Sequence, residues 1–142
     1  MKLLFAIKSM NTTRGGAERV LAVVTAGLAA RGHETCLLTF DRPGGASVYP
    51  LAPGIVRLDL GIGDSGRRAG FMETLARMRA LRHTVTERRP DAVIAFMHSM
   101  FIPAAFALAG TGIPVIASEH IVPRHYRSRK AEFIMLCATG LL

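Results

Sequence analysis

The sequence lacks several features that would point to particular classes of protein. It has no tryptophan and only nine aromatic residues, seven Phe and two Tyr, too few for the stacking platforms that read single-stranded nucleic acid. It has two cysteines, Cys36 and Cys137, which excludes a disulfide scaffold and a cysteine-based metal cluster. Its five histidines are scattered without zinc spacing. Acidic residues are scarce, 10 against 18 basic, for a formal charge of +8. Met1 to Ile7 resembles a secretion signal only superficially: Leu3 to Ile7 is a five-residue apolar stretch before Lys8, and a signal core needs about 7–15 residues. A cytoplasmic location is therefore expected, and two unpaired thiols agree with it.

What is present describes a globular chain. Half of the residues are apolar and 20% are charged, which excludes low-complexity disorder. A length of 142 residues suits one domain that buries roughly two thirds of its unfolded surface. The end is unusual. Phe133 to Leu142 carries no charge, whereas a natural C-terminus is usually polar and loose, so the expectation is a chain interrupted inside an element, half of a larger protein. Ala92 to Ala117 also lacks Asp, Glu, Lys and Arg over 26 residues, long enough to span about 30 Å of bilayer. Pro103, Gly110, Gly112 and Pro114 cut it into pieces, and short apolar runs between turn signals read better as buried parallel strands.

The basic excess is concentrated. Arg67 to Arg89 holds seven arginines against Glu73 and Glu87, and Arg124, Arg127, Arg129 and Lys130 follow one another without an acid. Anionic lipid and phosphorylated substrates fit such patches better than nucleic acid, for which no recognition motif exists. A merely solvated basic face is the plain alternative.

Strands and helices alternate. Lys2 to Ile7, Thr35 to Phe40, Ile55 to Leu60, Ala92 to Phe96 and Pro114 to Ala117 read as strands. Gly16 to Arg31 reads as a helix with Val20, Leu21, Val24 and Leu28 on its apolar stripe, ended by Gly32. Arg67 to Arg89 reads as a long helix with Phe71, Leu75, Met78 and Val85 on one face and Arg82 snorkelling out of it. Met100 to Ala109 is a short apolar helix, and a basic start at Arg127 leads into another. The pattern predicts an α/β, Rossmann-like parallel sheet over residues 1–126, with 127–142 beginning a further helix. Ligands of such a sheet collect at the strand C-terminal ends.

Four places carry candidate chemistry. Arg14-Gly15-Gly16-Ala17-Glu18-Arg19 joins a strand to a helix, where glycines admit a ligand and the helix N-terminus favours an anion; a flexible turn with Glu18 on the dipole is the plain reading. Gly61-Ile62-Gly63-Asp64-Ser65-Gly66 is a literal G-x-G-x-x-G. It follows the third strand, no acid ends the next one, and its last glycine precedes the helix, so a dinucleotide site is the weaker reading. His98-Ser99 ends the fourth strand, with a satisfied core histidine as the plain reading. Ser118-Glu119-His120 ends the fifth. There a carboxylate beside an imidazole can hold, orient or deprotonate a substrate hydroxyl, or Glu119 can simply pair with Arg124.

In order along the chain, Arg14-Gly15-Gly16-Ala17-Glu18-Arg19-Val20, Ala29-Ala30-Arg31-Gly32-His33-Glu34, Tyr49-Pro50-Leu51, Pro90-Asp91-Ala92-Val93-Ile94 and Pro114-Val115-Ile116-Ala117-Ser118-Glu119-His120 resemble the N-terminal domain of family-four glycosyltransferases of the GT-B architecture. The resemblance implies transfer of a sugar from a nucleotide-sugar donor to a glycan or polyprenyl-phosphate-linked acceptor, with retention of configuration, in cell-surface polysaccharide synthesis. It places Gly15 and Gly16 near the donor phosphates, His120 with Glu119 at the reacting centre, and His98, Ser118 and Arg14 on the acceptor side. It implies no bound metal or other cofactor. The family's donor-binding second domain, with its E-x7-E pair, is not in these residues, so catalysis is expected only with that domain or a separate donor subunit. Arg124, Arg127, Arg129 and Lys130 would then dock on the anionic inner face of a membrane. The alternatives are a non-catalytic acceptor-binding or anchoring subunit, and a dinucleotide-binding domain built on Gly61 to Gly66.

Overall fold

The structure is a computed structural model that describes residues 1–12 and 14–120. Segment 127–142, the Arg124, Arg127, Arg129 and Lys130 patch, and Cys137 lie outside the described residues. The elements run β1 (Lys2–Ala6), α1 (Gly16–Ala30), β2 (Glu34–Thr39), β3 (Val56–Asp59), α2 (Phe71–Arg88), β4 (Ala92–Phe96), α3 (His98–Leu108) and β5 (Val115–Ser118). The five strands form one parallel sheet in the order β3-β2-β1-β4-β5, the expected Rossmann-like α/β architecture.

Strand alternation explains the two layers. Leu3, Phe5 and Ile7 point to one face with Ala17 and Leu21 of α1. Leu4 and Ala6 point to the other, against Leu81 and Val85 of α2 and Met100, Phe101 and Ala104 of α3. The order reverses between β1 and β4, because β1 leads into a helix on one face and β4 into a helix on the other. In such sheets the ligand crevice opens at that switch, outside the strand C-terminal ends.

Two helices present other faces than their stripes predict. On α1 the buried line is Ala17, Leu21, Ala22 and Thr25, while Val20 and Val24 are exposed. Small residues let the α1 backbone sit close on the sheet, and the Thr25 hydroxyl is satisfied by the Leu21 carbonyl at 2.8 Å. Val20 and Val24 instead flank an apolar groove of about 360 Å³ beside Ile94 and Ile116 of β4 and β5. On α2 the buried line is Arg77, Leu81 and Val85, and Phe71 is 82% exposed. The helix begins only at Phe71, after Gly70 as N-cap. Its first turn therefore extends beyond the core instead of resting on it.

Arg82 does leave the apolar stripe, and its guanidinium donates to the carbonyls of Ala107 (2.6 Å) and Ala109 (3.0 Å), closing the end of α3. Gly32, with φ of 82°, ends the turn after α1 as expected. The uncharged stretch from Ala92 resolves into β4, α3 and β5, and among the described residues no helix is long and apolar enough to cross a membrane.

Cys36 lies buried on β2 between Val56 and Leu4 in register. Burial pushes its thiol pKa up, with Arg88 opposing the shift, and the thiolate is the reactive form. In a Cys137→Ser background, native protein should resist a thiol-labelling reagent that reacts promptly in denaturant. Fast native labelling would show that β2 opens locally.

Candidate active site at the carboxyl edge of the sheet

The chain leaves β4 through Met97, which has φ 68° and ψ 148°. A non-glycine residue holds that conformation at a cost of about 1–3 kcal/mol, so surrounding contacts must impose it. They are visible: the Met97 N–H donates to the Ser118 carbonyl at 2.9 Å, and the Met97 carbonyl accepts from Met100 and Phe101 in the first turn of α3. The kink starts α3 at His98, two residues before the predicted start. It brings the His98 N–H to 3.0 Å and the ring Nδ1 to 3.5 Å from Glu119 Oε2.

Glu119 thereby joins two strand ends. Its Oε1 accepts the His120 N–H at 2.9 Å while Oε2 accepts from His98. Beside it, Ser118 Oγ and His120 Nε2 share a hydrogen bond of 2.9 Å. The His120 ring stacks on Phe96, with centroids 5.0 Å apart and planes inclined by 10°, and Phe96 packs on Phe5 in the core. The His98 side chain is largely covered and that of Glu119 is a quarter exposed, and His120 stands exposed at the rim. Chemically, Glu119 is engaged in holding the loop and His98, and the Ser118–His120 pair presents a hydroxyl and an imidazole to solvent. Sequence reasoning grouped Ser118, Glu119 and His120; the structure adds His98 to them through the Met97 kink.

The other half of the edge is the β1–α1 loop. Gly15 is the N-cap of α1 with φ −99° and ψ 175°, and no side chain caps the helix. A Cβ on Gly15 would stand 2.5 Å from Glu18 Oε2, while one on Gly16 would meet nothing within 4 Å. Glu18 thus leans back over the helix start, and the space above Gly16 is open. Arg14 is exposed on the same loop. Ala17 in the first turn of α1 and Phe96 beneath His120 belong to one apolar cluster, so the glycine loop and the histidine rim are mounted on common packing on either side of the β1–β4 switch.

The glycine hexapeptide is occupied by the protein itself. A Cβ at Gly63 would overlap the Glu73 carboxylate, and Glu73 is held by Arg77 at 2.7 Å and Arg67 at 2.8 Å. Arg77 also donates to the Ile62 and Asp64 carbonyls and lies over the Phe40 ring. The Gly66 N–H goes to Asp64 Oδ1 at 2.8 Å. A carboxylate at Gly63 is the opposite of what a pyrophosphate requires, which argues against the dinucleotide reading.

Sequence reasoning missed the buried polar group beneath this edge. Asp41, just past β2, accepts from Ser9 Oγ (2.6 Å), the Met10 N–H (2.6 Å) and Ser65 Oγ (2.7 Å), with the Arg57 guanidinium at 3.3 Å. Arg57 continues to Asp59, Asn11 and the Gly45 carbonyl. Burial lowers the Lys8 pKa, with Arg77 adding to the shift and Glu73 and Asp64 opposing it. An acid directly after an apolar strand, as in Thr39-Phe40-Asp41, was the available signal. Among the described residues no three His, Cys, Asp or Glu side chains gather as metal ligands.

A Rossmann-like domain with polar groups clustered at its carboxyl edge is the class that the fold and site define. Residues 15–141 match the family model described as a glycosyl transferase 4-like domain, and the chain belongs to that family. The fold is similar to part of sucrose-phosphate synthase from Thermosynechococcus elongatus (TM-score 0.77, 11% identity, 97% of this chain and 39% of that one). It is shared with MurG from Acinetobacter baumannii (0.58, 19%, 83% and 35%) and with UDP-GlcNAc 2-epimerase from Methanocaldococcus jannaschii (0.58, 15%, 98% and 36%). The chain therefore spans under two fifths of the length of each of these proteins. No curated protein matches the sequence.

Replacing Asp41 by Ala leaves three donors, Ser9 Oγ, the Met10 N–H and Ser65 Oγ, without this acceptor, while Arg57 keeps Asp59, and should lower the unfolding free energy by about 2–4 kcal/mol. Urea denaturation measures it. The exposed Lys2–Glu34 pair is the control, and its removal should leave the midpoint unchanged.

Proposed function

We propose that this chain is the acceptor-side half of a retaining glycosyltransferase that uses a nucleotide-sugar donor. The carrying observation is the convergence of Ser118, His120, Glu119 and His98 at the sheet's carboxyl edge, beside the open helix start at Gly16, in a chain of the glycosyl transferase 4-like family. In this reading His120 and Ser118 position the acceptor hydroxyl and the reacting sugar. Glu119 holds His98 and His120 in place, and Arg14 lies along the acceptor path. Gly15 and Gly16 let donor phosphates approach the N-terminus of α1, where backbone N–H groups favour an anion.

A second Rossmann-like domain supplies the remaining donor contacts, within the same polypeptide or as a separate subunit. Fixing donor and acceptor from both sides is what lowers the barrier. The transfer proceeds without a bound metal. The acceptor is a glycan or a polyprenyl-phosphate-linked sugar, met at the inner face of a membrane during cell-surface polysaccharide assembly, and the basic residues Arg124, Arg127, Arg129 and Lys130 assist docking there.

The direct experiment combines this domain with its donor-binding partner and offers radiolabelled nucleotide sugars with lipid-linked acceptors in the presence of a chelator. His120→Ala should lower kcat by about 100-fold with the melting temperature retained. Unaltered kcat in that variant would remove His120 from the reacting centre. If the domain binds acceptor but turnover never depends on residues of its edge, it is a binding subunit.

Gly16→Ala separates a ligand loop from a plain turn. The added methyl meets nothing in the protein and reduces unfolded-chain entropy, so the melting temperature should hold or rise. Donor KM should increase at the same time. An unchanged KM would identify the glycine pair as a turn only.

A further inference from the structure

Among the described residues the two most exposed large apolar side chains are neighbours. Phe71 is 82% and Met72 is 72% exposed, at the very start of α2. They stand there because the buried line of α2 begins only at Arg77, which leaves the first turn projecting past the core. The residues just before them are Arg67 and Arg68, both exposed, and Arg79, Arg82 and His83 continue the exposed side of the helix. Among the described residues no acid pairs with Arg68 or Arg79, whereas Arg67 is already paired. Glu73 is shared by Arg67 and Arg77, and Asp64 Oδ1 accepts the Gly66 N–H.

Two apolar side chains with exposed arginines before and after them in sequence make too small a patch for a stable protein interface, which needs roughly 800 Å² from each partner. It is the pattern of an interfacial anchor, in which apolar side chains enter the acyl boundary and cations meet anionic headgroups. We infer that the projecting start of α2, with Arg68, Phe71 and Met72, docks on the surface of an anionic phospholipid bilayer. This assigns membrane contact to a surface distinct from the basic run at Arg124 to Lys130.

The surface is coupled to the candidate active site. Lys8 Nζ, on the β1–α1 loop, donates to the Arg67 carbonyl at 2.6 Å, and Ser65 shares the Asp41 carboxylate with Ser9 and Met10. Docking α2 by its tip therefore sets the loop leading to Gly15 and Gly16 close to the bilayer. Delivery of a lipid-linked acceptor to that loop rests on the transferase reading; the docking itself does not.

The absence of tryptophan makes the test site-specific, because Phe71→Trp introduces the sole indole. With the full chain and vesicles of phosphatidylglycerol, that emission should shift to the blue, and with pure phosphatidylcholine it should stay. In co-sedimentation the double variant Phe71→Ser, Met72→Ser should bind phosphatidylglycerol vesicles about tenfold more weakly or less. Arg68→Gln should weaken binding in the same direction, and circular dichroism checks that all variants are folded. Neutralising Arg124, Arg127, Arg129 and Lys130 together should leave the indole shift in place. Undiminished vesicle binding by the Ser double variant overturns the proposal. So does an indole shift that occurs only on adding a donor-binding protein domain, which would make this a protein interface. Neither readout uses a sugar donor, so a failed transferase assay leaves the result standing.

Discussion

The Asp41 carboxylate organises the functional end of this fold. Parallel strands deliver their C-termini to one edge, but loops leaving that edge have no ladder to fix them. A buried anion solves this by gathering donors from separate loops: Ser9 and Met10 after β1, and Ser65 after β3. Arg57 on β3 balances the charge and extends the network to Asn11 and Gly45. Such a group is expensive to bury alone and stable only when its acceptor sites are filled. The loops therefore hold one arrangement together or lose it together. Ser9 and Met10, at the start of the loop that leads to Gly15, are thereby held by a buried residue.

The same device recurs at the other end of the crevice. Glu119 accepts two backbone N–H groups, one from each strand end, and so keeps the strained Met97 turn closed. Acids at this edge act first as clips for backbone donors. This bears on chemistry, because a carboxylate with both oxygens bonded to main chain orients the neighbouring imidazole better than it removes a proton. The free-facing polar pair is Ser118 and His120, seated on Phe96 and through it on Phe5. Positioning by a packed ring is less adaptable than positioning by a loop, as a site that must hold a hydroxyl in line requires.

Much of this was legible in the residues, for identifiable reasons. Apolar runs bounded by turn signals marked all five strands within a residue or two: β1, β2 and β4 are buried on both faces, which gives a strong signature, and the edge strands β3 and β5 are short apolar-rich runs between turn residues. Ser118-Glu119-His120 stood out because polarity changes abruptly at a strand end. Helix faces were less legible. Val20 and Phe71 are apolar at helical spacing, yet the sheet selects Ala17 and Leu21 on α1 and tolerates Arg77 on α2, whose stem packs inward while its guanidinium caps loop carbonyls. Hydropathy ranks Arg77 last among core residues and Phe71 near the top; packing reversed both. The Met97 kink and the Asp41 network depend on partners 16 to 46 positions away in sequence, which no local pattern encodes.

The two glycine clusters show why a motif needs its surroundings before it has a function. Gly61 to Gly66 matches a nucleotide fingerprint letter for letter, and Gly15-Gly16 matches nothing so exact. Yet a Cβ at Gly63 collides with Glu73, a carboxylate of the protein, while a Cβ at Gly16 meets open space above uncapped helix donors. Glycine in the first case makes room for the fold and in the second leaves room for something else. A phosphate brought to Gly63 would face a fixed negative charge; one brought to Gly16 would need only the terminal carboxyl of Glu18, on a flexible side chain, to turn aside. Accessibility and sign of charge, read together, separate a structural glycine from one that a ligand can use.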